Sequence, residues 1–355
     1  MDKTGRGMKI LCIVWAKGSR RMGELASFLN GKLWSFTILP RVKILAPIRY
    51  LLQGLATIIK LIKEKPKVLV VQNPPIFAPL ICLIYAKLTN RIIIVDHHCV
   101  WSEKTIKYPL IRKFIRLLEK FVVKNSHMNL SPNDFWTDML IQFNAKQTLT
   151  LYDFVDKKWF KNADFSIRLS FPNEYEILVA PCGGHPLERP DILIEAVKNF
   201  KNLILVITGE KKYLQKHINL TTELNVNNVY FTGFLPEEKY KGLLLTCSFI
   251  ANISDEPYTI PHFIAEALAA GKPVISTNNP AITNVFKKGV ITVSENNPIE
   301  VKKKLKLMIE RKEDYYKEAN LEYNELKKKS EKQRVNLFNF INKFLLMSYN
   351  ASDKN

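Results

Sequence analysis

The chain is expected to be an α/β protein built from two doubly wound parallel sheets, and three observations carry that expectation. Short apolar runs bounded by turn residues alternate with stretches of helical periodicity, the pattern of parallel strands covered by helices on both faces. The alternation stops at a polar segment over residues 152–174 and begins afresh at residue 176. The length of 355 residues exceeds what one ordinary core supports and suits two domains of about 150 residues each.

The first domain is expected over residues 1–165. KILCIVW (9–15) is a buried-strand run, and AKGSRRMGELASFL (16–29) supplies a Gly-containing loop and a helix, together a βα unit. VLVVQ (68–72) and RIIIVD (91–96) repeat the strand pattern, each ahead of a helical segment. The second domain is expected over residues 172–325. Its strands are EILVAP (176–181), NLILVITG (202–209), VYFTG (229–233), FIANIS (249–254) and PVIST (273–277), with helices over 190–200, 236–245 and 264–270. Residues 299–347 are Lys-rich, apolar at helical spacing and nearly free of Gly and Pro, so they are expected as terminal helices, with a C-terminal helix over 326–355.

A hydrophobic content of 47% with 24% charged residues excludes bulk disorder. The net charge of +20 calls for an anionic partner or reflects a Lys-rich solvated surface. No zinc-finger or RNP signature accompanies the basic residues, so nucleic acid is not expected as a partner. Five scattered cysteines, odd in number and never spaced C-x-x-C, argue against a disulfide framework or a zinc site and imply a reducing cytosol. The N-terminus has an apolar run too short for a signal peptide and reads as a first strand.

Two apolar segments bear on membranes. Residues 74–88 are short and carry three prolines, which suits a core helix after a turn. Over residues 41–63, Ile44, Ile48, Leu51, Leu52, Leu55, Ile58, Ile59 and Ile62 recur at helical spacing, with Arg41, Lys43, Arg49, Lys60 and Lys63 as cations and no acid. Such a helix either packs inward or lies on an anionic membrane, and the similar stretch 109–124 favours the membrane.

Residues 257–275, PYTIPHFIAEALAAGKPVI, form the most informative stretch. A turn at Pro261 leads to a short helix that Glu266 is expected to open, Gly271 stops it, and a strand follows. A helix start suits a phosphate and a carboxylate suits a ribose diol, so the arrangement fits a nucleotide. The segment resembles the nucleotide-sugar motif of GT-B glycosyltransferases of family four, E-G-F-G-L-P-x-x-E-A-M-A-x-G-x-P-V-I. Glu266, Ala267, Ala269, Gly271, Pro273, Val274 and Ile275 match it. Pro261 stands five residues ahead of Glu266 where the family usually has three. That longer spacing is similar to the mannosyltransferases acting on dolichol-linked chitobiose, as is the stretch Gln72–Asn73–Pro74–Pro75.

The resemblance implies the GT-B fold, two Rossmann-like domains facing a cleft, with acceptor on the first and nucleoside diphosphate sugar on the second. It implies His98 as the family histidine, with Asp96 beside it and His97 as the competing ring. The loop PCGGHPLERP (181–190), with Gly183 and Gly184, would hold the diphosphate through backbone N–H groups. The family's loop Arg is absent, and Arg189 is the nearest substitute for its charge. Gly209 and the loop from Phe234 and Leu235 would border the base, and Glu256 or Asp255 would replace the family's first Glu. No metal and no cofactor are implied, the sugar nucleotide being a substrate. The implied activity moves a hexose from the nucleotide to a lipid-linked or surface glycan at the cytoplasmic membrane face. The rivals are a nucleotide-sugar 2-epimerase of the same fold and an inactive partner subunit.

Overall fold

The computed structural model describes residues 9–40, 42–99 and 108–352. They divide into two compact units, one running to Tyr152 and resuming at Ser330, the other spanning Asp153–Lys329.

In the first unit a six-stranded parallel sheet has the order β2-β1-β3-β4-β5-β6. The strands are β1 (Ile10–Val14), β2 (Lys32–Ser35), β3 (Val68–Asn73), β4 (Ile92–His97), β5 (Met128–Ser131) and β6 (Thr148–Thr150), and the helices α1 (Arg20–Phe28), α2 (Ala46–Glu64), α3 (Phe77–Leu88), α4 (Pro109–Asn125) and α5 (Asp134–Gln142). Every residue of β1, β3 and β4 is buried, which is why these strands read as apolar runs until the polar pairs Gln72–Asn73 and Asp96–His97 that end β3 and β4. Side chains alternate between two cores. Ile10, Cys12 and Val14 enter one, and Leu11 and Ile13 enter the other on the opposite face. Strands β2, β5 and β6 have no apolar run to announce them: β2 is partly exposed at the sheet edge, and β5 is MNLS.

In the second unit the strands are β7 (Glu176–Pro181), β8 (Leu203–Thr208), β9 (Val229–Gly233), β10 (Phe249–Asn252), β11 (Val274–Thr277) and β12 (Val290–Val293). The helices are α6 (Pro190–Val197), α7 (Lys211–Glu223), α8 (Glu237–Thr246), α9 (His262–Ala269), α10 (Pro280–Val285), α11 (Pro298–Glu310) and α12 (Lys312–Ser352). The parallel order β12-β11-β10-β7-β8-β9 reverses direction between β7 and β10, the switch point beside which open α/β sheets bind ligands.

Residues 153–165 group with the second unit and residues from Ser330 onward with the first, unlike the expected limits at 165, 172 and 326. The cause is packing along α12: Tyr315 joins the core of the second unit, while Leu337, Phe340 and Ile341 join the Ile10–Cys12–Val14 core of the first.

Helix α2 does not bury its apolar row. Ile44, Ile48, Leu51, Leu52, Leu55, Ile58, Ile59 and Ile62 are all exposed, and the opposite face, with Gly54 and Thr57, packs inward. Gly54 permits this packing, because a Cβ there would lie 2.9 Å from Ile81 of α3. The cations of this segment do not all face outward. Arg49 is buried and donates to Pro40 O at 2.8 Å, and Lys60 pairs with Glu64 at 3.0 Å, one residue past the acid-free stretch. Arg41 lies outside the described residues. Helix α4 exposes Leu110, Ile111, Phe114, Leu117 and Phe121 together with Arg112, Lys113, Arg116, Lys120 and Lys124, while its one acid, Glu119, is buried. Among the described residues, no helix is long and apolar enough to cross a membrane. All five cysteines are free thiols.

Candidate functional site

A cavity of about 610 Å³ opens in the second unit where β7, β8 and β9 end. Its wall takes Cys182 and Gly183 after β7, Thr208 and Gly209 at the end of β8, Phe234 and Leu235 after β9, Tyr240 from α8, and His262 from α9. The expected Gly183, Gly209, Phe234 and Leu235 therefore come together from three separate strand ends. Gly209 is required where it stands. Its φ is +126°, and a Cβ would fall 2.2 Å from Cys182 O.

The Gly-rich loop has its backbone donors aimed at one point, and that point is occupied by the chain's own carboxylate. Gly183 N donates to Glu188 Oε1 at 3.0 Å, and Gly184 N and His185 N donate to Oε2 at 2.9 and 3.1 Å. Gly184, at φ +79°, turns the backbone so that successive N–H groups converge, the geometry of an anion-binding nest. The loop is anchored to the end of β10 through Arg189 N to Ile253 O and Asp255 N to Leu187 O, each 2.8 Å.

Arg189, expected to face the diphosphate, is engaged elsewhere. Its Nη2 holds Asp191 Oδ2 at 2.7 Å and its Nη1 holds Asp255 Oδ2 at 3.1 Å, and it does not line the cavity. Two carboxylates offset its charge, so in this arrangement it braces the loop. Asp255 is committed to Arg189 and to Asn296, whose side-chain amide donates at 2.9 Å. Glu256 accepts from Thr259 Oγ1 at 3.3 Å and lies 3.7 Å from His185 Nδ1, which places it above the Gly-rich loop.

Glu266 does not open its helix. Helix α9 begins at His262 after Pro261, so the free N–H groups belong to His262 and its successors, and Glu266 sits one turn further on, buried. The longer spacing from Pro261 is thereby a full helical turn. Tyr240 Oη donates to Glu266 Oε2 at 2.8 Å, and His262, also on the cavity wall, lies 3.7 Å from Glu266 Oε1 and 3.2 Å from Asp153 Oδ2. Glu266 thus acts on the cavity from behind two residues that touch it.

In the first unit, β4 ends at His97, so Asp96 and His97 are buried in the strand and His98 stands just past it. Asp96, expected beside the catalytic His, is fully buried and clamped by Arg21, whose Nη2 donates to Oδ1 at 2.7 Å and whose Nε donates to both oxygens at 3.0 Å. That pairing is structural. His97 is also buried, with Nε2 3.0 Å from Asn129 Oδ1 and Nδ1 3.1 Å from Asn73 Nδ2. Asn129 spends its Nδ2 on Val123 O, so its oxygen accepts from the His97 Nε2–H and the ring's Nδ1 accepts from Asn73, a neutral imidazole. Burial pushes the His97 pKa down to about 4, against the opposing effects of Asn129 and Asp96. His98 is exposed, and its N–H donates to Asn73 O at 2.9 Å.

Comparison with known proteins decides what this architecture is. Residues 169–329 match the family of glycosyl transferases group 1. HepE from Anabaena, solved in complex with UDP and glucose, superposes with a TM-score of 0.73 at 14% identity, covering 94% of this chain and all of that one. Sucrose-phosphate synthase from Thermosynechococcus elongatus superposes with a TM-score of 0.78 at 11% identity, covering 96% of this chain and all of that one. The chain has the GT-B fold, and its second half is similar to the group 1 glycosyl transferases. A curated relative, the chitobiosyldiphosphodolichol beta-mannosyltransferase of Candida albicans, is 23% identical over 269 residues, 64% of this chain. The chain spans 57% of that relative's length.

Glu188, Tyr240 and His262 on the cavity wall, and Asp153 behind His262, are residues that sequence reasoning passed over. A signal for two of them existed. An acid within five residues of a Gly-Gly pair can reach back to its amides, and a polar residue directly after the turn proline of α9 stands at a helix start. Tyr240 and Asp153 carry no local signal, since their partners lie 26 and 109 residues away, at Glu266 and His262. Among the described residues, no three His, Cys, Asp or Glu side chains are grouped so that they could hold a metal ion.

Proposed function

We propose that the chain transfers a hexose from a nucleoside diphosphate sugar to a lipid-linked or surface glycan acceptor at an anionic membrane face. The observation that carries the donor side is the cavity at the ends of β7, β8 and β9, beside the switch point of a group 1 glycosyltransferase domain. Its chemistry suits such a donor. The Gly-rich loop offers backbone donors for phosphate oxygens, the backbone at Phe234 and Leu235 offers edges for a base, and Tyr240 and His262 offer hydrogen bonds for the ribose. The UDP in HepE and the lipid-linked substrate named for the Candida relative favour the same donor and acceptor classes.

The membrane side rests on α2 and α4. Their exposed apolar rows, together with five exposed cations on α4 and Lys63 on α2, match a headgroup surface that takes apolar side chains beneath and cations at the phosphate level. His98, exposed at the end of β4, is the candidate to contact the transferred sugar or acceptor.

The test is release of nucleoside diphosphate from a panel of UDP and GDP sugars, with and without a membrane extract supplying lipid-linked acceptors. One donor should be consumed, faster with acceptor and with the label appearing in lipid. Epimerised sugar nucleotide in place of transfer would support the epimerase instead, and inertness toward every donor would support an inactive subunit.

A further inference from the structure

The nest of Gly183, Gly184 and His185 is the place where a donor phosphate would sit on the reading above, and it is already filled. A carboxylate taking three backbone N–H groups at 2.9–3.1 Å satisfies them as a phosphate oxygen pair would. Glu188 also stands between two cavities, because its side chain lines both the 610 Å³ cavity and a smaller one of about 210 Å³. The smaller cavity is also lined by Lys216 and His217 of α7. His217 is 5% exposed, and neither of its ring nitrogens has a hydrogen-bond partner. Two orphaned nitrogens on a buried imidazole are a standing cost in a folded chain, and such a group calls for a partner in some state of the protein.

We propose that Glu188 is an internal anion that holds the phosphate seat shut, and that a diphosphate opens it by driving the carboxylate into the neighbouring cavity toward His217. The two anions cannot share the nest, since its three donors converge on one point and like charges at that distance repel. Binding therefore exchanges one anion for another in the loop. In the smaller cavity the displaced carboxylate meets the Lys216 charge and the unpartnered imidazole. Burial first, then Lys216 and Arg189, hold the His217 pKa below the ordinary imidazole range against the opposing charge of Asp191, and an arriving carboxylate adds to that opposition and favours the charged form. The exchange makes the seat selective. A ligand without a phosphate, such as a free nucleoside or sugar, has nothing with which to displace Glu188.

Free pyrophosphate tests this without a base or a sugar, by calorimetry on the full chain. Glu188→Ala should bind it about tenfold more tightly or better than wild type, the scale of one lost competing charged contact. Glu188→Gln, which keeps the shape and removes the charge, should also tighten it. His217→Leu should weaken binding in the wild-type background and leave it unchanged in Glu188→Ala. Equal or weaker binding in both Glu188 variants overturns the proposal, and so does an absence of binding by every variant. An equal effect of His217→Leu in both backgrounds overturns the role of His217. If pyrophosphate tightens as expected but no sugar nucleotide is ever turned over, the stand-in holds and the glycosyl-transfer reading fails. Transfer by wild type without tightening has the opposite meaning.

Discussion

Tyr240 donates its hydroxyl to Glu266 across 26 residues of chain at 2.8 Å, and the two act as one unit on the cavity wall. The phenol touches the cavity and the carboxylate behind it fixes the direction of its O–H. With its Oη–H committed to Glu266, Tyr240 would meet a ribose hydroxyl as an acceptor on the function proposed above.

Removing this carboxylate should therefore weaken the donor even though Glu266 is one layer back. Glu266→Ala is expected to reduce nucleoside diphosphate affinity by about 1–3 kcal/mol, the scale of a lost hydrogen bond to a charged group. Tyr240→Phe should cost less, about 1 kcal/mol, because one neutral contact is lost. Calorimetry with UDP and GDP decides it. Unchanged affinity in Glu266→Ala would move the ribose elsewhere.

His97, the last residue of β4, and the adjacent His98 should give opposite phenotypes. His98, exposed, is expected to matter for turnover, with His98→Ala lowering it by about 100-fold or more if the ring assists proton movement. His97→Ala should act on stability, because Asn73 and Asn129 lose their partner in the interior at about 1–3 kcal/mol for each buried group left unsatisfied. Parallel urea titrations and turnover measurements separate the two. A stable His97→Ala with lost activity would reverse the assignment.

His97 also sets a pH window. Its pKa is near 4 in the fold and about 6.5 when unfolded, so between those values the unfolded chain binds a proton that the native chain refuses. Stability from this group is complete above pH 6.5 and is lost as the pH falls toward 4, at about 1.4 kcal/mol per pH unit at most. Urea midpoints measured from pH 7 to 4 should fall, and His97→Gln should flatten the fall by up to one proton. Burial also lowers the pKa of His127 and His217, so part of the slope remains in the variant. An identical slope in His97→Gln would show the ring to be charged in the native state.

Liposome sedimentation tests the proposed membrane contact. Binding is expected to rise with anionic lipid and fall with salt, since each cation near such a surface contributes about 1 kcal/mol before screening. Leu51→Asp with Ile59→Asp, both on the exposed row of α2, should abolish it without unfolding the chain. Binding that ignores lipid charge and salt, or that survives the double substitution, would remove α2 from the interface.

The alternation of apolar runs with helical stretches determined the two parallel sheets by itself, because a strand buried on both faces must be apolar at every position and β1, β3, β4 and β7 are nearly so. The short strands β2 and β5 escaped for the converse reason. Lys32 and Asn129 sit in strands whose pairing is set by neighbours and not by their own composition. The same limit applies to the site. Spacing brought Gly183, Gly209 and Phe234 to strand ends, where the fold gathers them into one cavity. Only the tertiary structure decided that Asp96 belongs to Arg21, that Arg189 belongs to Asp191 and Asp255, and that Glu188 fills the nest of Gly183, Gly184 and His185. Periodicity encodes which way a side chain faces, since that depends on its own backbone. Which partner it meets there depends on segments that can lie more than seventy residues away, as Asp96 does from Arg21, and only the completed packing brings them within reach.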